Sequence, residues 1–168
     1  MKLIGYHGTS QGQAIDILSK GYHLSHDDDE WLGDGIYFYF KYKDAYNWKT
    51  DAVLRSTIKI KRSEYLDIDT KIGESIFREM VNIIYAQYGS KIDPYSTGDD
   101  LVQKNQCALM RMIWDTYPKI KVISAAFPYE KTTFKTLIDK RLKRREFCVR
   151  SNEYIVSTYL YVRRLRVI

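Results

Sequence analysis

The chain has little of what marks a secreted, membrane-bound or unstructured protein. Only two cysteines occur in 168 residues, Cys107 and Cys148, far apart and in no C-x-x-C pattern. That excludes a disulfide scaffold and a zinc site of standard spacing, and the pair reads as buried thiols from a reducing compartment. Prolines number three (Pro94, Pro118 and Pro128), and there is no internal repeat, low-complexity tract or Pro/Gly-rich linker. The expectation is one domain over residues 1–168. No apolar run approaches the roughly 20 residues of a membrane helix. Leu3 and Ile4 pass at once into Gly5-Tyr6-His7, with no h-region or cleavage site. A cytoplasmic protein is expected, or an effector delivered into a target cell, with its working part beginning at the first residues and no membrane partner.

What is present is a hydrophobic share of 45% against 29% charged residues, a balance that supports a buried core. The net charge of +6 is unevenly spread. Residues 26–30 read H-D-D-D-E, residues 140–145 read K-R-L-K-R-R, and the tail carries Arg163, Arg164 and Arg166. Such a basic excess attracts nucleic acid or an acidic protein face, or is simply a solvated surface. Tyrosine is abundant at 15 residues, which core packing and base stacking can both use.

Periodicity predicts a strand over Lys2–His7 and a helix over Gly12–Lys20, with Ala14, Ile15, Ile17 and Leu18 as its buried face and Gly21 as its stop. Residues 22–34 are polar loop, Gly35–Phe40 a buried strand, Lys43–Thr50 a short helix, and Ala52–Arg62 and Tyr65–Ile68 strands. Amphipathic helices follow at Ile72–Tyr88 (Ile76, Met80, Ile83 and Ile84 inward) and Asp99–Tyr117 (Leu101, Leu109, Met112 and Ile113 inward), with a loop over Ser90–Gly98 between them. Lys121–Ala126 reads as a strand, Thr132–Lys143 as a helix, and Glu146–Val149 and Glu153–Val162 as strands about a turn at Ser151-Asn152. The mixture is α+β and lacks the strict alternation of a doubly wound fold.

Three short strings stand out: Gly5-Tyr6-His7-Gly8-Thr9, Gly33-Asp34-Gly35-Ile36-Tyr37-Phe38 and Asn152-Glu153-Tyr154-Ile155-Val156. In this order and spacing they resemble the His–Tyr–Glu signature of the ADP-ribosyltransferases, the group containing diphtheria toxin and the poly(ADP-ribose) polymerases. Tyr6 before His7, then a helix, then Gly21, is also similar to the corresponding stretch of diphtheria toxin. The resemblance spans residues 5–156 and implies a split β-sheet core with flanking helices, NAD as co-substrate, no metal, and cleavage of the nicotinamide–ribose bond.

That chemistry needs a rigid hold on the nicotinamide edge, a positioned ribose and negative charge beside a developing sugar cation. By the resemblance, His7 hydrogen-bonds a ribose hydroxyl, Gly8 offers backbone to the nicotinamide amide, and Thr9 adds a hydroxyl nearby. Tyr37 packs against the nicotinamide ring. Trp48 is the second aromatic by ungapped alignment with the polymerases, with Tyr46 the alternative. Glu153 is the catalytic carboxylate. The acceptor is read by the loop before the Glu strand, which here points to Lys140, Arg141, Lys143, Arg144 and Arg145.

Three departures shape the expectation. Ala45 stands where the polymerases have a Ser that contacts the nicotinamide amide. Ser151 stands two residues before Glu153, where arginine-specific toxins carry Glu or Gln. The helical regulatory domain of the polymerases has no counterpart in these residues, which favours mono-transfer. The H-D-D-D-E run, with His23 nearby, matches no standard metal-ligand spacing. The resulting expectation is a mono-ADP-ribosyltransferase acting on nucleic acid or on a protein with an acidic face. A toxin or effector of this type implies an antitoxin or immunity protein. Two alternatives stay open: an NAD-dependent RNA 2′-phosphotransferase, which carries a similar His-Gly-Thr element but does without the Glu, and an inactive nucleotide- or nucleic-acid-binding module.

Overall fold

Residues 2–9, K-L-I-G-Y-H-G-T, set Leu3, Gly5, His7 and Thr9 against Lys2, Ile4, Tyr6 and Gly8, an alternation that gives an extended segment two different faces. In a computed structural model, which describes residues 1–28, 30–48, 51–88, 99–128 and 143–161 (backbone alone at 85, 88, 99–105, 128 and 143), this segment is an inner strand of the sheet. In chain order the elements are β1 (Lys2–Thr9), α1 (Gln11–Lys20), β2 (Ile36–Tyr39), α2 (Tyr42–Tyr46), β3 (Ala52–Lys59), β4 (Tyr65–Asp67), α3 (Lys71–Tyr88), α4 (Asp99–Thr116), β5 (Val122–Pro128), β6 (Lys143–Val149) and β7 (Ile155–Leu160). The seven strands form one mixed sheet in the order β4-β5-β6-β2-β1-β3-β7, with only β4 and β5 parallel. The class is therefore α+β, as the pattern of elements predicts.

Each sheet face carries its own core. On one side Leu3, Ile36, Phe38, Leu54, Ile58, Phe147 and Val149 bury against Ala14 and Ile17 of α1. On the other, Ile123, Ala125 and Cys148 bury against Met80, Val81 and Ile84 of α3 and Leu109, Met110, Ile113 and Trp114 of α4. Both cysteines are free and buried, as expected of inert thiols. Ser10 caps α1 by accepting from Gln13 N at 3.2 Å, and Gly21, at φ 87°, stops it by donating to Ile17 O. Among the described residues no helix is long and apolar enough to cross a membrane.

Several expected placements differ. Ile15 and Leu18 of α1 are 70% and 46% exposed, because this short helix touches the sheet along the single i, i+3 line of Ala14 and Ile17. Ile83 of α3 is exposed for the same reason: it sits one position round from the buried Met80–Ile84 line, with Ile76 half-buried against that core. The predicted strand at 52–62 ends at Lys59 and gives way to a 3-10 turn at Arg62–Glu64. The predicted loop at 90–98, the tail residue Val162 and positions 132–142 of the predicted helix lie outside the described residues, while Lys143 opens β6 instead of closing a helix. The expected strand at 153–162 begins only at Ile155. Asn152–Tyr154 is a 3-10 turn, held because Ser151 Oγ accepts from Glu153 N at 3.3 Å and Asn152 grips the backbone of Tyr22 by two bonds, at 2.9 and 2.7 Å. Ser and Asn side chains compete for backbone groups in this way and turn the chain out of extended geometry.

The sheet is not uniformly zipped. β1 pairs with β3 over eight registered positions, and β2 pairs with β6 over Ile36–Tyr39. Between β1 and β2 there is one registered pair, Tyr6↔Tyr39. Beyond it the two halves of the sheet part, and the loop that closes the gap is pinned at Gly35, whose N–H and C=O both bond Ser25 at 3.0 and 2.9 Å.

Gly35 has φ 152°, and a Cβ there would lie 2.4 Å from Cys148 Sγ and 2.7 Å from Val149 O. No L side chain fits that backbone or that space. Gly35→Ala is expected to cost about 2 kcal/mol or more of stability. Urea unfolding with an unchanged slope is the check, and a variant as stable as wild type would show that this close approach does not hold in solution.

Candidate active site

Where β1 and β2 part, a cavity of about 440 Å³ opens, lined by His7 and Gly8 of β1, Tyr37 and Tyr39 of β2, and Glu146 of β6 among others. The 25–35 loop adds Asp27, Glu30 and Trp31, and Trp48 stands at the end of α2. A second cavity of about 410 Å³ shares His7, Gly8, His23 and Trp48 with the first and continues past Thr9, Ser10 and Gln13. Each volume is that of a ligand pocket, about 300–1,000 Å³. Two of the three strings singled out in the sequence therefore meet at one seam.

His7 explains how the seam is held open yet ordered. Its Nδ1 lies 2.9 Å from the carbonyl oxygen of Tyr37, across the gap where the ladder has stopped. A carbonyl only accepts, so Nδ1 carries the proton. The ring packs edge-on against Tyr22 and Phe38. Burial lowers the His7 pKa, and the bond to Tyr37 opposes that shift only in part. The imidazole is neutral, and its Nε2 keeps a lone pair able to accept from a hydroxyl. Thr9 Oγ1 donates to Gln13 Oε1 at 2.8 Å and lines the second cavity only.

Tyr37 is fixed at its far end. Its hydroxyl accepts from Leu32 N at 2.9 Å and donates to Gly33 O at 2.7 Å, which locks the ring at the cavity and ties β2 to the loop. Of the two candidates for the second aromatic, Trp48 lines both cavities, while Tyr46 lies outside them and stacks on Tyr42 with centroids 5.7 Å apart. Trp48 does not face Tyr37 directly. It leans on Tyr39 at 6.4 Å, with the Arg144 guanidinium 5.1 Å from its ring centre and 5.9 Å from that of Tyr39. Ala45, on the inner side of α2, is fully buried and does not line the cavity.

The sheet carboxylate that lines the cavity, beside Asp27 and Glu30 of the loop, is Glu146; Glu153 does not line it. Glu153 is exposed on its 3-10 turn, where Tyr154 is its hydrogen-bonding neighbour, and it lines neither cavity. Glu146 stands on β6 as the register partner of Tyr39, so both side chains share a face. It is 6% exposed, and burial raises its pKa, while Arg144 pulls the other way. Arg144 Nε is 2.6 Å from Glu146 Oε1, an ion pair by distance but without hydrogen-bond angles at either atom. The sequence carries one signal for Glu146 that string matching passes over: it is the lone acid in the apolar run Glu146-Phe147-Cys148-Val149.

Of the basic run, Lys143, Arg144 and Arg145 stand on β6. Lys140 and Arg141 lie outside the described residues, and only the backbone of Lys143 is described. Arg144 is committed to Glu146, and Arg145 pairs with Asp67 at 2.7 Å while lying over Phe40. The acidic run is also spoken for. Arg111 of α4 binds Asp28 and Asp34 at 2.7 Å each and the carbonyls of His26 and Asp27 at 2.9 and 3.3 Å. It staples the cavity-covering loop to the helical layer. Among the described residues, no three His, Cys, Asp or Glu side chains gather as a metal-ligand set.

No protein-family profile matches the sequence. The chain is similar to an uncharacterized protein of Methanocaldococcus jannaschii, 33% identical over an alignment of 89 residues, with a coverage of 45% of this chain and 41% of that protein. The match thus spans under half the length of that relative.

Two outcomes follow from this geometry. Because burial lowers the His7 pKa, its contribution to stability is complete above its ordinary 6.5 and is lost as pH falls below that value, where the unfolded chain takes up the proton first. Urea unfolding between pH 7.5 and 5.5 is expected to show wild type losing more than His7→Gln, by at most about 1.4 kcal/mol per pH unit. Equal slopes would mean the imidazole is not held neutral. Separately, Arg111→Met is expected to speed amide exchange across residues 26–34 about tenfold with little change in β1 or β3. Exchange accelerated throughout the sheet instead would make Arg111 a general support of the fold.

Proposed function

We propose that the protein is an NAD-dependent mono-ADP-ribosyltransferase, which cleaves the nicotinamide–ribose bond and passes ADP-ribose to a macromolecular acceptor. The observation that carries this reading is the convergence of a neutral, tautomer-fixed His7, the anchored ring of Tyr37 and the buried carboxylate of Glu146 on one cavity at a split in the sheet. NAD is the co-substrate, and the paired cavities suit its two halves. The α+β sheet, opened between β1 and β2, is compatible with the split core of the ADP-ribosyltransferases.

In this reading His7 Nε2 accepts from a ribose hydroxyl and fixes the sugar. Tyr37 supplies one aromatic wall for the nicotinamide, and Trp48, beside Tyr39, the other. The nicotinamide of NAD is cationic, and Asp27, Glu30 and Glu146 give its cavity an acidic lining opposed by Arg144 alone. Departure of nicotinamide builds positive charge on the ribose. A preorganised carboxylate in a low-dielectric site stabilises such charge far better than one in water. Glu146 supplies that carboxylate, and the exposed Glu153 does not.

Glu146→Gln is expected to keep NAD binding and lower turnover about 10²-fold or more, while Glu153→Gln stays near wild type. Wild-type turnover should rise with pH through a midpoint above the ordinary glutamate value of 4.5, since the working form is ionised and burial delays ionisation. The assay is release of labelled nicotinamide. The reverse pattern between the two variants returns the role to Glu153, and turnover indifferent to both ends the transferase reading. In the same assay Trp48→Ala is expected to raise the NAD requirement and Tyr46→Ala to leave it unchanged.

A further inference from the structure

The cavities use few of the chain's tyrosines, and five of the others lie together. Tyr46 stacks on Tyr42, and Tyr42 packs against Tyr6 and Tyr161 at 6.1 and 5.0 Å. Tyr6 and Tyr161 are 5.4 Å apart. Arg55, the register partner of both Tyr6 and Tyr159, bonds the Tyr159 hydroxyl and lies 5.4 Å over its ring. Five tyrosines and an arginine thus form one strip on the β1–β3–β7 half of the sheet.

Among the described residues, no long helix packs on this half-sheet face. The core formed with α3 and α4 takes its sheet residues from β4, β5, β6 and β2, and none from β1, β3 or β7. The short α2 adds Tyr42 and Tyr46 to the strip, and Tyr161 adds a third ring beyond the end of β7. Tyr46 and Tyr159 are accordingly 56% and 44% exposed. Fully buried tyrosines would be ordinary core packing; here two exposed rings flank three half-buried ones, a less usual surface. The charge on this face has one sign. Lys2 and Lys59 are paired in register and exposed, Arg55 follows along β3, and the sequences of β1, β3 and β7 contain no Asp or Glu.

We infer that this face binds single-stranded nucleic acid, its bases stacking on the tyrosine strip and its phosphates held by Lys2, Arg55 and Lys59. Aromatic rings give sequence-tolerant stacking, and flanking cations track the backbone. A duplex hides its base faces and meets only the charge. Tyr6 is also the register partner of Tyr39, which lines the cavity, so a strand on this face runs past the mouth of the proposed NAD site. The binding itself needs no NAD and stands independently of the transferase reading.

The test uses the full chain without NAD. Fluorescence anisotropy follows labelled single strands of about 20 nucleotides, oligothymidylate and oligouridylate, against a duplex of equal length, with poly-glutamate as competitor. Single strands are expected to bind more tightly than duplex, with a log–log salt slope near −2 from about three phosphate contacts. Tyr46→Ala and Tyr159→Ala should each weaken binding about fivefold or more, and Lys2→Glu with Lys59→Glu should flatten the salt slope. Unchanged thermal melts by circular dichroism certify that each variant is folded. Equal affinity for duplex with no tyrosine effect would reduce the face to simple charge and overturn the inference. Displacement by poly-glutamate at matched charge would assign the face to an acidic protein instead, and absence of binding by the folded wild type would end it.

Discussion

The bond from His7 to the Tyr37 carbonyl is the constraint on which the rest of the site depends. An antiparallel ladder that continued past Tyr6↔Tyr39 would pair Gly8 with Tyr37 and close the sheet. An imidazole takes the place of that backbone partner. Unlike a ladder bond, it separates the strands by the width of a ring and presents a second nitrogen to the space it creates. The same bond sets the tautomer, and burial sets the charge. Tyr37 is then held at three points, by its carbonyl to His7 and by its hydroxyl to Leu32 and Gly33, so the opened strand gains order from the loop that covers it.

That loop brings its own electrostatic problem. A run of carboxylates facing a buried carboxylate would drive the loop away. Arg111 resolves this from the outside by neutralising Asp28 and Asp34, and Arg144 from the inside by standing against Glu146. Neither arginine abolishes the negative character of the cavity, because Asp27 and Glu30 also line it. The raised pKa of Glu146 is the result of burial prevailing over a single nearby cation. A cationic ligand in the cavity would offset both the desolvation of Glu146 and the repulsion among the carboxylates.

What the sequence disclosed and what it hid divide along physical lines. The strands around His7 and Tyr37 were legible because alternation and glycine punctuation are local signals. Ungapped spacing put Trp48 ahead of Tyr46 without excluding the latter, since the two stand two residues apart at the end of the same short helix, and of the two only Trp48 lines the cavities. Glu153 was singled out because Asn152-Glu153-Tyr154-Ile155-Val156 completes three individually weak strings in the order of the resemblance. Its neighbours Ser151 and Asn152 form side-chain bonds that turn the backbone, and no string encodes a bond to Tyr22, 130 residues away. Glu146 needed knowledge of which strand lies beside β2, a fact of topology that no window of sequence contains. The exposure of Ile15 and Leu18 was hidden for a related reason: periodicity gives a helix an apolar face but not the width of the surface it meets.

The split also divides the outer surface of the molecule. Strands β4, β5, β6 and β2 carry α3 and α4 on one face, and the helical layer ends where β2 ends. Had β1 continued the β2 ladder, the sheet would present one twisted surface to those helices, and Tyr6 and Arg55 would lie nearer their cover. The parting leaves β1, β3 and β7 with a core on the α1 side alone. An antiparallel sheet tolerates a solvated face when that face is polar. Here it is met with lysines, an arginine and tyrosines, two of them with exposed side chains, a composition that suits a solvated face and still leaves rings for a partner. One missing stretch of backbone pairing thus produces both the enclosed cavity and the uncovered surface beside it, and any strand bound on the second would approach the first across the Tyr6↔Tyr39 pair.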